Sequence, residues 1–153
     1  MRALAVTTLG VALAGCGRSP VCTAPSAQLT IRSTSGTSVL AVGVPDTPLQ
    51  QARGLMGRGH LGADDGMAFV FTAPTSAAFW MKDTKIPLSI AFWDSRRRIV
   101  DVMDMTPCRA APCRRYRSSR PYVGAVEANR GYFARHGIGI GDRVRLDHVA
   151  CAL

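Results

Sequence analysis

Six polar or amphipathic residues stand in or beside apolar, aromatic-rich runs of the chain: Arg58, Trp80, Lys82, Asp83, Thr84 and Glu127. A charged group inside an apolar strand must be paired or hydrogen-bonded if it is buried. Glu127 lies between Val126 and Ala128, so it is expected to face inward, toward Arg58 or Lys82. Two roles fit such a constellation. The plainer one is an internal salt bridge that fixes a helix on a sheet. The other is a polar pocket that grips a small ligand, with Trp80 as a stacking wall. A hydrolase built on the same residues would need Glu127 and Lys82 within hydrogen-bond reach in an open pocket.

Other chemistry finds less support. His60, Asp64 and Asp65 are close in sequence, with His136 and His148 elsewhere, but no Gly-x-Ser-x-Gly elbow and no His-Glu-x-x-His pattern frames them. Gly137-Ile138-Gly139-Ile140-Gly141 lacks the strand-to-helix setting of a dinucleotide site. Met56, Met67, Met81, Met103 and Met105 are soft thioethers that could hold Cu(I) if three sulfurs converged, although methionine also simply fills irregular cores. No catalytic residue, cofactor or metal is therefore assigned.

The cysteines speak to location. Met1-Arg2 gives one positive charge, Ala3 to Ala12 is apolar, and Leu13-Ala14-Gly15-Cys16 follows. That pattern reads as a secretory signal, and its apolar run is too short to span a bilayer. Leu13 to Cys16 resembles the lipobox of bacterial lipoproteins, which implies diacylglycerol on the Cys16 thiol and cleavage just before it. Residues 1–15 would be the signal and 16–27 a flexible tether, with one domain over 28–153. Four cysteines then remain, and an even number outside the cell suggests disulfides. The favoured pairing is Cys108–Cys113, closing a short loop, with Cys22–Cys151 tying the two ends together.

Net charge is +9, and 17 of the 19 basic residues are arginine. Arg96, Arg97 and Arg98 sit together, and Arg109, Arg114, Arg115, Arg117 and Arg120 crowd a second segment. Inside a cell this would suggest nucleic acid. Outside, the anions to expect are lipid headgroups and acidic envelope polymers, and nucleic acid is not expected as a partner. A monomer held at the extracytoplasmic face of the cell membrane or outer membrane is the expected state.

These residues must be positioned by short elements. Gln28 to Ser33 and Val39 to Val44 read as a hairpin around Thr34–Thr37. Thr47-Pro48-Leu49-Gln50 opens a helix, with Thr47 as N-cap and Gln50 completing a capping box. Leu49, Ala52, Leu55 and Met56 fall on one helical face, and Gly57 and Gly59 end the helix. Met67–Thr72, Ala77–Met81, Ile90–Trp93, Arg98–Met103, Tyr122–Ala128 and Arg143–Leu146 read as strands, and Gly131–His136 as a second short helix. Thr106–Pro121 is a loop long enough to require stapling or a function. The predicted fold is mostly β (α+β by strict count): one barrel or sandwich-like domain of about eight short strands with two short helices.

Gly54-Leu55-Met56-Gly57-Arg58, Asp65 to Phe71 and Phe79 to Leu88 are similar to the consensus of the family called domain of unknown function 192. Val126-Glu127 and Gly137 to Asp142 resemble its end, so the likeness covers residues 39–146. The resemblance implies a small β-rich domain, often exported, and supplies no catalytic residues. The family usually carries an aspartate after the Pro-Leu pair, where this chain has Ser89. Taken together, the sequence reads as a membrane-anchored envelope lipoprotein that binds an anionic component or a small ligand.

Overall fold

The computed structural model describes residues 26–148. Strand β1 (Ser26–Ser33) turns through Thr34-Ser35 into β2 (Gly36–Gly43), and the two pair antiparallel in the expected hairpin. Next comes helix α1 (Pro48–Arg53), followed by β3 (Asp65–Thr75), β4 (Phe79–Trp80), β5 (Leu88–Trp93) and β6 (Ile99–Met105). The chain ends with β7 (Arg115–Tyr116), β8 (Tyr122–Asn129), helix α2 (Tyr132–Arg135) and β9 (Arg143–His148). Ala27 is already a buried strand residue, so the domain begins at the last residues of the expected tether.

Seven strands form one sheet in the order β6-β5-β8-β3-β2-β1-β9, and β4 pairs with β7 in a separate ribbon. The β2–β3 pair is parallel and the others are antiparallel. The sheet is not a closed barrel. Its two edges meet only at one end, where the Ile99 N–H donates to Asp142 and the Val144 N–H donates to Arg97. A mostly β, sandwich-like domain is therefore the observed architecture.

Alternation along the central strands splits the core in two. Ala91, Trp93, Val126 and Ala128 face one apolar cluster with Leu29, Ile31, Leu40, Tyr132 and Phe133. Leu88, Ile90, Phe92 and Ala125 face the other, with Leu55, Met81, Tyr116 and Tyr122. Strand β5 is buried along its whole length because both of its faces are covered. Gly124 on β8 stands directly opposite Trp93, and the indole lies where a Cβ on Gly124 would sit. Only glycine lets the ring pack flat there.

Helix α1 departs from expectation. Its start matches: the Gln50 N–H donates to Thr47 Oγ1, and the Gln50 side chain reaches back to the Thr47 N–H. Its end does not, because Gly54 takes φ 48 and stops the helix after six residues. The expected apolar face is not buried: Leu49 is 80% exposed and no residue of α1 is buried. Leu55, just past the end, carries the packing instead. Six residues are too few to present an apolar stripe, and the burial passes to Leu55 beyond the end of the helix.

Candidate functional site

The second core cluster is incomplete on one side. Phe69 and Phe71 share a face of β3 because they are two residues apart. Phe79 of β4 leans edge-on against Phe69 at 5.1 Å between ring centres and against Phe92 at 5.7 Å. The Tyr122 hydroxyl donates to the Ala77 carbonyl at 2.8 Å, which holds the start of β4 over the sheet. Between these rings and the C-terminal end of α1 lies a cavity of about 190 Å³, lined by Leu55, Met56, Phe69, Phe79, Thr84 and Glu127 among others. Gly54 also lines it, with Phe69 close behind its backbone.

Glu127 is the polar floor of this cavity. It sits mid-strand on β8, opposite Met67 on one neighbour and Ile90 on the other. It is 5% exposed. Neither of the two ion pairs among the described residues includes it, no hydrogen bond to its carboxyl is found there, and its oxygens are open to the cavity rather than sealed in the core. Burial without a compensating charge pushes its pKa up to about 8. At neutral pH this side chain is therefore mostly an uncharged acid, able to donate one hydrogen bond and accept others.

The expected partners of Glu127 lie elsewhere, and a local turn explains why. Met81 to Thr84 closes a four-residue turn, with the Thr84 N–H donating to the Met81 carbonyl and Asp83 at φ 54. Aspartate tolerates that left-handed conformation better than most residues. The turn sends Thr84 inward, where it is buried, and leaves Lys82 and Asp83 exposed. Arg58 is exposed as well and does not line the cavity. So the structure brings Trp80, Thr84 and Glu127 to one cavity, and the expected salt bridge from Glu127 to Arg58 or Lys82 is absent. The hydrolase pairing of Glu127 with Lys82 loses its geometry for the same reason.

Lys82 and Asp83 belong to a neighbouring hollow of about 440 Å³, lined also by Trp80, Arg109, Pro112 and Arg115. Trp80 is the wall between the two cavities. Arg115, its cross-strand partner, lies over the indole at 4.2 Å, and the Lys82 ammonium at 5.6 Å. Both are cation–π distances. The outer wall of this hollow is the loop stapled by Cys108–Cys113, which forms as expected. Of the basic segment, Arg109, Arg114, Arg115, Arg117 and Arg120 are all exposed. Arg114 stacks over Tyr116 at 4.9 Å and Arg117 donates to the Ser76 carbonyl, so these two guanidiniums are partly engaged within the protein.

Other residues singled out by sequence take structural places. Met81 and Met105 are buried in the second core, Met67 and Met103 pack against it, and Met56 lines the cavity. His60 and His148 are exposed, while His136 stacks on Tyr132 and shares a 2.8 Å hydrogen bond with its carbonyl. Among the described residues no group of three His, Cys, Asp or Glu side chains could hold a metal. No helix there is long and apolar enough to cross a membrane. Cys16, Cys22 and Cys151 lie outside the described residues, and with them the lipid attachment and the Cys22–Cys151 bridge. Reading the sequence alone missed Phe69, Phe71, Phe79 and the end of α1 as cavity walls. The aromatic run of β3 and β4 was the available signal, but it marks a core equally well.

The chain is similar in structure to a protein of unknown function from Novosphingobium aromaticivorans, with a TM-score of 0.75 and 35% identity over 82% of this chain and 89% of that one. It is also similar to a putative transcription regulator from Sinorhizobium meliloti, with a TM-score of 0.72 and 29% identity over 82% of this chain and 96% of that one. No curated protein matches it. The family described as uncharacterized ACR, COG1430, matches residues 29–146, which includes every wall of both cavities. The chain belongs to this family, domain of unknown function 192.

Proposed function

We propose that this protein is an envelope lipoprotein whose β domain binds a compact, partly apolar ligand in the cavity between α1, β3 and β4. The observation that carries the reading is Glu127: a largely buried residue whose carboxyl has no side-chain or backbone partner among the described residues and opens onto the floor of an aromatic-lined cavity. A carboxyl that faces a cavity without a protein partner is free to hydrogen-bond a ligand there, in surroundings apolar enough to strengthen the bond. A neutral acid at neutral pH favours a ligand with an amide, hydroxyl or amine group over a carboxylate. Lys82, Arg109 and Arg115, on the far side of Trp80, would meet an anionic part of the same ligand or of a neighbouring envelope polymer. The anchor is diacylglycerol on Cys16, motivated by the Leu13-Ala14-Gly15-Cys16 segment.

A screen of small amides, amines and sugars against the isotope-labelled protein tests the binding site. Ligands should shift the resonances of Phe69, Phe79 and Trp80, and Glu127→Leu should abolish the shifts while the domain stays folded. Shifts that survive Glu127→Leu, or a screen in which nothing moves these residues, would remove the site. The anchor is tested separately by mass spectrometry of the membrane fraction: a lipidated amino-terminal cysteine is expected in wild type, and Cys16→Ser should release the protein from the membrane.

A further inference from the structure

A second cluster of arginines forms a groove that shares no residue with either cavity beside Trp80. Thr30 and Arg32 on β1 and Arg143 and Arg145 on β9 alternate with the core residues Leu29, Ile31 and Val144, so they share the outer face of the sheet. The turn between β5 and β6 brings Arg96 and Arg97 against that face. The result is a concavity of about 310 Å³ lined by five guanidinium-bearing residues, and none of its lining residues is acidic.

Two features show that the groove is costly to the protein by itself. Arg32 and Arg143 are direct cross-strand partners, and like charges placed opposite each other destabilise an antiparallel pair. Arg97 holds φ 58, in the left-handed region that favours glycine, so an arginine there strains the turn. The surrounding carboxylates only partly offset this. Asp147 pairs with Arg145 at 2.8 Å. Asp94 accepts the Arg96 and Arg98 backbone N–H groups, and Asp142 accepts the Gly139 N–H. Neither of the two ion pairs among the described residues includes Arg32, Arg96, Arg97 or Arg143.

We infer that this groove is a binding site for a phosphate-type oxyanion. Planar guanidiniums converging from three segments match the several oxygens of a phosphate group, and each can donate two parallel hydrogen bonds. A bound phosphate also relieves the Arg32–Arg143 repulsion, so binding and folding are coupled. The same chemistry could be presented by a soluble phosphate or by a lipid headgroup.

Calorimetric titration of the full chain with inorganic pyrophosphate at low salt is the first arm. Sedimentation with phosphatidylcholine vesicles containing phosphatidylglycerol is the second. Binding in the first arm should weaken with added salt, and by about tenfold for each of Arg32→Gln and Arg143→Gln, the loss expected for one charge-assisted hydrogen bond. Arg58→Gln, which removes one exposed charge elsewhere, should leave it unchanged. Without ligand, Arg32→Gln and Arg143→Gln should raise the thermal midpoint by relieving repulsion. Arg97→Gly keeps the inference testable if those variants fold poorly, since it should stabilise the turn and still weaken binding. Pyrophosphate binding that is lost in the groove variants identifies a soluble phosphate. Vesicle binding alone, lost in the same variants, identifies a headgroup. Absence of binding in both arms, or binding indifferent to all three groove arginines, would overturn the inference.

Discussion

Ser89 on β5 and Asp104 on β6 stand directly opposite each other, and the serine hydroxyl donates to the aspartate carboxylate. The same hydroxyl accepts the Gly131 N–H at 2.8 Å, at the start of α2. Arg130 reaches Asp104 from the other side at 3.3 Å. Ser89 thus holds a carboxylate that arrives from the adjacent strand, and ties it to the start of α2. These bonds, the Ser89 hydroxyl first, hold the Asp104 carboxyl below the usual aspartate range.

Ser89→Ala should destabilise the domain by about 1–3 kcal/mol, because it leaves the Gly131 N–H without its acceptor and Asp104 without its donor. The Asp104 pKa should rise toward that of an ordinary aspartate, which carbon-detected NMR titration would follow. An unchanged Asp104 titration would show that the serine does not hold the carboxylate.

Glu127 should make stability fall as pH rises. Its folded pKa is raised from 4.5 to about 8, so between those values the native state binds a proton that the unfolded state has released. Stability from this group is fully present below the unfolded pKa, declines through that window and levels off above pH 8. Glu127→Gln removes the dependence. Its gain in unfolding free energy over wild type should be larger at pH 8 than at pH 5, and a gain that is equal at both would contradict the assignment.

Gly124→Ala should cost roughly 1–3 kcal/mol, the range for overpacking a filled core. The added Cβ would meet the Trp93 indole, so a shift in tryptophan fluorescence should accompany the lower midpoint. Gly59→Ala is the control: nothing lies within 4 Å of the Cβ it would add, and a near-neutral effect is expected.

Cys113→Ser opens the disulfide that closes the 108–113 loop. The chain-entropy relation gives about 2 kcal/mol for a loop of this length. The sharper readout is proteolysis, because Arg109 and Arg114 are exposed trypsin sites in or beside that loop. Cleavage there should accelerate more than cleavage at Arg53, which lies on α1 away from the staple.

Sequence alone determined the features whose causes are local. The Thr34-Ser35 hairpin, the Thr47–Gln50 capping box and the short Cys108–Cys113 loop each depend on residues a few positions apart, and each formed as read. Alternation placed Glu127 inside, and ordered motifs carried the family across the domain. The end of α1 was less legible: Gly57 and Gly59 were the expected stops, but the helix ends at Gly54, and Leu55 just beyond it is buried. What Glu127 faces was not legible at all. Periodicity says that a side chain points inward, but the order β5-β8-β3 gives it Ile90 and Met67 as neighbours, while the Met81–Thr84 turn leaves Lys82 exposed. The arginine groove has the same origin: Arg32, Arg97 and Arg143 lie far apart along the chain, and they converge only because β1 pairs with β9 while the β5–β6 turn closes over that edge. Strand order is set by the burial of whole faces against each other, a property of the assembled sheet that no short stretch of residues carries.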